Sequence, residues 1–146
     1  MHILAPTFLD PLSAAGVPCI NLHPALPGKY DGINAIGRAY QDFLDGKLDN
    51  DETGVMIHYV ISEVDAGQPI LVEKVKIQKG ETLEELTERI HGVEHKAIVQ
   101  GTEMAIDMLD QSNKQELQKQ AEGPALTSRD DVASKISELK GNVIKY

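Results

Sequence analysis

A chain of 146 residues and 16.0 kDa fits a single domain. Its formal net charge of -9 at pH 7, with no basic patch, argues against a nucleic-acid partner. No apolar stretch is long enough to cross a membrane, no signal peptide is visible, and the single cysteine, Cys19, cannot form an internal disulfide. These features predict a soluble, cytoplasmic protein that acts on small molecules.

The spacing of apolar residues predicts alternating helices and strands. A short helix is expected over residues 7–15, followed by a buried strand over 18–23. Helical spacing returns over 33–44, and the β-branched residues of 53–61 are typical of a second buried strand. Apolar and polar residues then alternate over 70–77, which predicts a strand with one solvated face. The pattern as a whole predicts an α/β fold.

A long helix is expected to follow the third strand. Thr82, with Glu85 three residues later, has the sequence signature of a capping box. Apolar residues at helical spacing extend this helix to about Leu109. Residues 111–146 are polar and predict a partly helical C-terminal appendage, with a second amphipathic segment over 130–140.

Three polar residues could form a site for acyl transfer. Asn21 and His23 lie two positions apart at the end of the first strand, so their side chains point to the same face. Asp65 follows 42 residues after His23 in a predicted loop. The trio offers an amide donor, a proton carrier and a carboxylate; alternatively, Asn21 and His23 make structural hydrogen bonds in a turn. Without a phosphate-binding loop or a nucleophile elbow, direct transfer between two bound substrates fits better than attack by an enzyme side chain.

A zinc protease is the main alternative from a different class of protein. The segment His91–His95 matches the H-x-x-E-H pattern, which places two histidines on one helix face. However, Gly92 weakens the helix and no third ligand is evident. The pattern also fits an ordinary helix with a polar face.

Other polar residues carry less information. His58, in the middle of the second strand, is more typical of a core histidine than of a catalytic one. Lys29 and Arg38 are the cations nearest to the predicted site in sequence. They are interpreted as surface charges, although an anionic substrate could use either.

Three separated segments resemble the folate-dependent formyltransferases. These segments are Asn21–Gly28, Thr53–Val60 and Val64–Ile70, and they occur in the order found in that family. The amino-acid sequences of these segments are most similar to those of family members, notably fungal ones, that act on glycinamide ribonucleotide. The resemblance implies that residues 1–110 form the C-terminal portion of a formyltransferase catalytic domain, with a Rossmann-like sheet flanked by helices.

The resemblance also implies a reaction and a role for each member of the trio. A formyl group would pass from 10-formyltetrahydrofolate to the amine of glycinamide ribonucleotide, a step of de novo purine biosynthesis, without a metal. His23 would act as general acid and base, and Asn21 would bind the formyl oxygen as it becomes an oxyanion. Asp65 would raise the basicity of His23 and relay protons.

Binding residues follow from the same resemblance. Pro24 and Glu94 match positions at the nucleotide substrate, where the family glutamate contacts the ribose. Position 2 is commonly basic in the family, so a histidine there is a mild departure. The residues that match the folate pocket are Met1, His2, Ile3, Leu4 and Asn21.

Family members have an N-terminal half before the segment with which this sequence begins. That half contains a Gly-Ser-Gly-type loop that holds the substrate phosphate. Two alternatives therefore remain beside transfer to the nucleotide: hydrolysis of formyltetrahydrofolate with water as acceptor, and a non-catalytic fragment that binds folate or mediates oligomerisation. The expected partners are small molecules, with no nucleic acid and no membrane, and a homodimer remains open.

Overall fold

The computed structural model of the protein describes residues 6–61 and 65–121. The elements in chain order are α1 (Pro6–Ala14), β1 (Ile20–His23), α2 (Ala35–Leu44), a short 3-10 helix (Asp49–Asp51), β2 (Glu52–Tyr59), β3 (Pro69–Lys76) and α3 (Leu83–Ala121). Within the described residues, the predicted helices and strands are confirmed in type and order. Among the described residues, no helix combines the length and apolarity that a membrane span requires.

The three strands form one open sheet in the order β1-β2-β3, and both pairs of neighbours are antiparallel. Asn21 lies opposite His58 and His23 lies opposite Met56. Residues directly opposite each other in a sheet share a face. The face that carries Asn21 and His23 therefore also carries His58, which the sequence had placed in a separate strand without a partner.

The other face of the sheet forms the core. Val55 and Ile57 of β2 are fully buried there, together with Leu86 and Ile90 of α3. Ala97, also on α3, belongs to the same cluster. The predicted helical stripe is thus confirmed between Leu86 and Ala97, and it holds α3 against the face of the sheet opposite to the polar residues.

Helix α2 packs against this core through Ile36, Tyr40 and Phe43. The Tyr40 hydroxyl donates a 2.7 Å hydrogen bond to the carbonyl oxygen of Glu81. Since Glu81 lies just before α3, this bond links the two helices. The exposed side of α2 then faces away from the core, and it carries Arg38.

Helix α3 begins as predicted and ends later than predicted. Thr82 and Glu85 form the reciprocal capping box: the Thr82 amide donates to Glu85 Oε2 at 2.8 Å, and the Glu85 amide donates to Thr82 Oγ1 at 3.2 Å. The helix does not stop near Leu109 but continues to Ala121. Residues 110–120 include four Gln and two Lys, which favour helix, so their polarity indicated exposure and not the end of the helix.

The chain divides into two compact units, residues 1–107 and 108–146. The sheet and the polar face belong to the first unit. The described part of the second unit is the stretch of α3 from Met108 to Ala121. The segment over 130–140, for which a second amphipathic helix is predicted, lies outside the described residues.

Candidate active site

Asp65 is the residue on which the polar cluster converges. Its Oδ2 lies 3.5 Å from His23 Nδ1, and its Oδ1 lies 3.6 Å from His58 Nε2. The Asn21 amide nitrogen donates to the same Oδ1 at 3.4 Å. The structure therefore brings together the predicted trio of Asn21, His23 and Asp65, and it adds His58. Their roles in a reaction stay predictions.

The His23 ring is enclosed by acceptors on both sides. Its Nε2 donates a 2.9 Å hydrogen bond to the Lys29 carbonyl oxygen, while its Nδ1 faces the Asp65 carboxylate. The side chains of His23 and Asp65 are each only 1 % exposed. With Nε2 protonated, Nδ1 either holds a lone pair or, when the ring takes up a second proton, forms an ion pair with Asp65. The two contacts hold the ring in one orientation, with Nδ1 at the carboxylate and Nε2 at the carbonyl oxygen.

Asp65 itself is held by the backbone. It lies in the left-handed region with φ 54°, a conformation that aspartate tolerates better than most residues. Its Oδ2 accepts a 2.9 Å hydrogen bond from the amide of Gly32. The carboxylate is thus held by two donors, the Gly32 amide and the Asn21 side-chain amide, and it lies beside the His23 ring.

His58 is the residue of this cluster that sequence analysis missed. It is 2 % exposed, and its Nδ1 donates a 2.8 Å hydrogen bond to the carbonyl oxygen of Tyr59. That bond leaves Nε2 of the neutral ring as an acceptor, and the Asn21 amide nitrogen lies 3.3 Å from it. His58 thereby orients Asn21. The signal that could have found it was antiparallel pairing of the two apolar strands, which places position 58 opposite position 21.

Two local features of the backbone place His58 and Asp65. Beside His58 the register of β2 and β3 shifts, so that Ile57 lies opposite Leu71 while His58 lies opposite Pro69. Such a bulge re-aims side chains near it. In the turn after Asp65, a Cβ on Gly67 would lie 1.6 Å from the Tyr59 carbonyl oxygen, so only glycine fits there. Close packing of this turn on the end of β2 keeps Asp65 near the two histidines.

One group of side chains in the described part of the chain has donor atoms spaced for a metal ion. The candidate ligand atoms of His23, Asp31 and Asp65 all lie within 4.8 Å of one another. The zinc pattern at His91–His95 yields no such group among the described residues: the His91 side chain is 55 % exposed and its Nε2 lies 3.9 Å from Glu94. The zinc alternative thus lacks a ligand set here, and a reaction without a metal stays a prediction.

The remaining predicted binding residues have different outcomes. Met1, His2, Ile3 and Leu4 lie outside the described residues. Pro24 is half-buried and directly follows His23 at the end of β1, as expected. Glu94 lies on α3 with a side chain 17 % exposed, beside His91. For Pro24 and Glu94, contact with a nucleotide stays a prediction.

A buried imidazole beside a carboxylate and an amide donor is an arrangement that suits group transfer. The sequence matches the family model described as formyl transferase over residues 1–102. The chain belongs to the formyl transferase family, as the resemblance of its three motifs implied, and its α/β fold is that of a portion of this domain.

Several relatives of known name are similar to this chain. The phosphoribosylglycinamide formyltransferase of Schizosaccharomyces pombe is 46 % identical over 106 residues, which are 73 % of this chain and 50 % of the relative. That of Saccharomyces cerevisiae is 46 % identical over 109 residues, with the same coverage. The chain spans about half the length of these curated relatives.

A solved structure agrees with the sequence comparison. The phosphoribosylglycinamide formyltransferase of Bacillus halodurans is 35 % identical with a TM-score of 0.56, over 66 % of this chain and 45 % of that one. The predicted likeness to this kind of enzyme, including its fungal members, is therefore confirmed.

Proposed function

We propose that this chain carries the formyl-transfer centre of a cytoplasmic phosphoribosylglycinamide formyltransferase. The reaction would move the formyl group of 10-formyltetrahydrofolate to the amine of glycinamide ribonucleotide in purine biosynthesis. The observation that carries the proposal is the convergence of Asn21 and His23 on the two oxygens of Asp65, at contacts of 3.4 and 3.5 Å, in a chain of this family. The transfer requires an amide donor, an imidazole and a carboxylate placed next to one another, and these three side chains supply them.

The chemistry assigns one task to each side chain. The substrate amine attacks the formyl carbon, the carbonyl oxygen becomes an oxyanion, and the bond from carbon to the folate nitrogen then breaks. The amine loses one proton and the folate nitrogen gains one, so a single group that accepts and returns a proton balances the reaction. His23 is that group, and its buried position shields the proton from bulk water.

Asn21 supplies the donor for the oxyanion. Its amide nitrogen has two protons, and these face His58 Nε2 at 3.3 Å and Asp65 Oδ1 at 3.4 Å. Both contacts are long for hydrogen bonds, so one proton can turn to the formyl oxygen at small cost. Loss of a positioned oxyanion donor slows turnover by roughly 10²- to 10³-fold.

The Lys29 carbonyl limits the access of a substrate to His23 Nε2. Nδ1 faces Asp65, so Nε2 is the ring nitrogen that delivers a proton to the folate. In this structure Nε2–H is bound to the Lys29 carbonyl oxygen at 2.9 Å. Transfer therefore requires the reactant to replace this carbonyl, and the residues after Lys29 take part in setting the geometry of the site.

A formyl-transfer assay tests the proposal. The 146-residue chain is assayed alone and joined to the N-terminal half of the Schizosaccharomyces pombe relative, since the chain spans about half of that protein. Tetrahydrofolate release is followed with and without glycinamide ribonucleotide. We expect release that depends on the nucleotide and falls at least about 10²-fold in His23→Ala and Asp65→Asn.

Two controls separate this function from its alternatives. Formate release without nucleotide would favour a hydrolase of formyltetrahydrofolate. Binding of folate with no turnover in either form of the protein would favour a non-catalytic module. The His91→Gln variant, changed at an exposed histidine on α3, should keep the activity of the unaltered protein. Near-normal turnover in His23→Ala would overturn the assignment.

A further inference from the structure

We propose that Arg38, an exposed residue of α2, is a positioning residue of the site, because it holds residues 29–32 against His23 and Asp65. Its catalytic consequence rests on the proposed function, whereas its structural consequence does not. The Arg38 guanidinium Nη2 donates to the carbonyl oxygen of Tyr30 and, at 2.7 Å, to that of Asp31. These two carbonyls belong to adjacent peptides in the middle of the segment.

The ends of the same segment contact the site. The Lys29 carbonyl accepts the Nε2–H of His23 at 2.9 Å, and the Gly32 amide donates to Asp65 Oδ2 at 2.9 Å. The two peptides held by Arg38 therefore lie directly between the residue that binds His23 and the residue that binds Asp65. A shift of either held peptide would move one or both of these contacts.

The backbone of the segment needs such a restraint. Tyr30 has φ 54°, a left-handed conformation that is costly for a residue with a bulky side chain. Its hydroxyl donates to Asp42 Oδ2 at 2.8 Å, and its ring lies 5.7 Å from the guanidinium carbon of Arg38. Arg38 thus contacts the backbone and the ring of Tyr30, and Asp42 binds its hydroxyl; both residues lie on α2.

Arginine is better suited to this task than lysine. The planar guanidinium presents several N–H donors in a fixed plane and stacks on aromatic faces, whereas an ammonium is a compact charge on a flexible stem. Since the guanidinium already donates to two carbonyls, Arg38 is explained better as a brace of the segment than as a free surface charge. The segment also carries Asp31, whose carboxylate lies within 4.8 Å of the donor atoms of His23 and Asp65.

The experiment measures the segment directly in the full 146-residue chain. Amide hydrogen exchange of Gly32 and the ring nitrogen chemical shifts of His23 are recorded by NMR for the unaltered protein, Arg38→Gln and Arg38→Lys. Arg89→Gln is the control for loss of an arginine away from the segment: Arg89 lies on α3, donates to the Lys76 carbonyl at 2.8 Å and also pairs with Glu81 at 2.8 Å.

We expect exchange of the Gly32 amide to quicken about tenfold or more in Arg38→Gln, with a change in the His23 ring shifts. The Gly32 exchange rate in Arg38→Lys should lie between those of the unaltered protein and Arg38→Gln. Added guanidinium should restore the exchange rate of Arg38→Gln in part. Arg89→Gln should leave both measurements unchanged. Gly32 exchange and His23 shifts in Arg38→Gln that match those of the unaltered protein would overturn the proposal.

Activity gives a second measurement where formyl transfer is established. A misplaced reacting group lowers kcat by about 10- to 100-fold, and we expect Arg38→Gln to act on kcat more than on KM. If Arg38→Gln leaves Gly32 exchange and the His23 shifts unchanged, only the proposed role of Arg38 is disproved. Absence of transfer in the unaltered protein, with the NMR effect intact, disproves the proposed function alone.

Discussion

Gly101 of α3 lies directly against Ile57 of β2. A Cβ at position 101 would lie 2.8 Å from both Cγ1 and Cγ2 of Ile57, a side chain that is fully buried. The helix can approach the sheet this closely only where it lacks a side chain. This contact sets the distance between α3 and β2, the strand whose opposite face carries His58.

Replacing Gly101 with alanine should therefore destabilise the protein, although alanine favours helix. Overpacking of a filled core costs about 1–3 kcal/mol, which exceeds the gain of about 1 kcal/mol in helix propensity. We expect a net loss of up to about 2 kcal/mol in the free energy of unfolding, measured by denaturant titration.

Gly92 provides the matched control on the same helix. Nothing lies within 4 Å of a Cβ at this position. The Gly92→Ala change should stabilise the protein by up to about 1 kcal/mol. Equal effects of the two substitutions would show that α3 does not pack on Ile57 as described.

The capping box at the start of α3 gives a second prediction. Thr82→Ala removes the acceptor of the Glu85 amide, a hydrogen bond of 3.2 Å, and should cost about 1 kcal/mol of stability. Thr102 is exposed on the same helix and donates its hydroxyl to the Ile98 carbonyl at 2.6 Å. Thr102→Ala should leave thermal stability unchanged or raise it, since alanine favours the helix interior.

A third prediction concerns the ionisation of Tyr30. Burial of the phenol and its hydrogen bond to the Asp42 carboxylate raise the pKa of Tyr30 to about 12. In the unfolded chain the phenol ionises near pH 10. The resulting stabilisation is complete below about pH 10 and is lost as the pH rises toward about 12, because the unfolded state releases its proton first.

Phenolate absorbance as a function of pH measures this shift, with Tyr30→Phe to identify the transition. Asp42→Asn should lower the pKa of Tyr30 in part, since burial is the larger cause. Ionisation of Tyr30 near pH 10, the value for a free tyrosine, would contradict the packing of residues 29–32 on α2.

A fourth prediction concerns His58 as the partner of Asn21. His58→Gln removes the ring whose Nε2 lies 3.3 Å from the Asn21 amide and 3.6 Å from Asp65. We expect kcat for formyl transfer to fall about 10- to 100-fold with a smaller change in KM, since the oxyanion donor loses its orientation. Turnover in His58→Gln equal to that of the unaltered protein would show that Asn21 is positioned without this histidine.

Local signals in the sequence were sufficient for much of this description. The capping box at Thr82 and Glu85 and the stripe from Leu86 to Ala97 act within one helix, so they were visible as short patterns. The three motif segments were likewise enough to indicate the formyl transferase family. The same local view placed the end of α3 too early, because loss of the apolar stripe after Leu109 marks exposure and not a change of backbone conformation.

The sequence by itself indicated the order of the elements, the family and the candidate residues Asn21, His23 and Asp65, since each depends on residue type or on a short motif. Only the tertiary structure decided that His58 joins this trio and that Arg38 braces residues 29–32. These relationships depend on strand pairing and on the approach of α2 to a loop. The first relationship joins residues 37 positions apart, and the second depends on how a loop folds back onto a helix, so both are fixed by packing and not by a short sequence pattern.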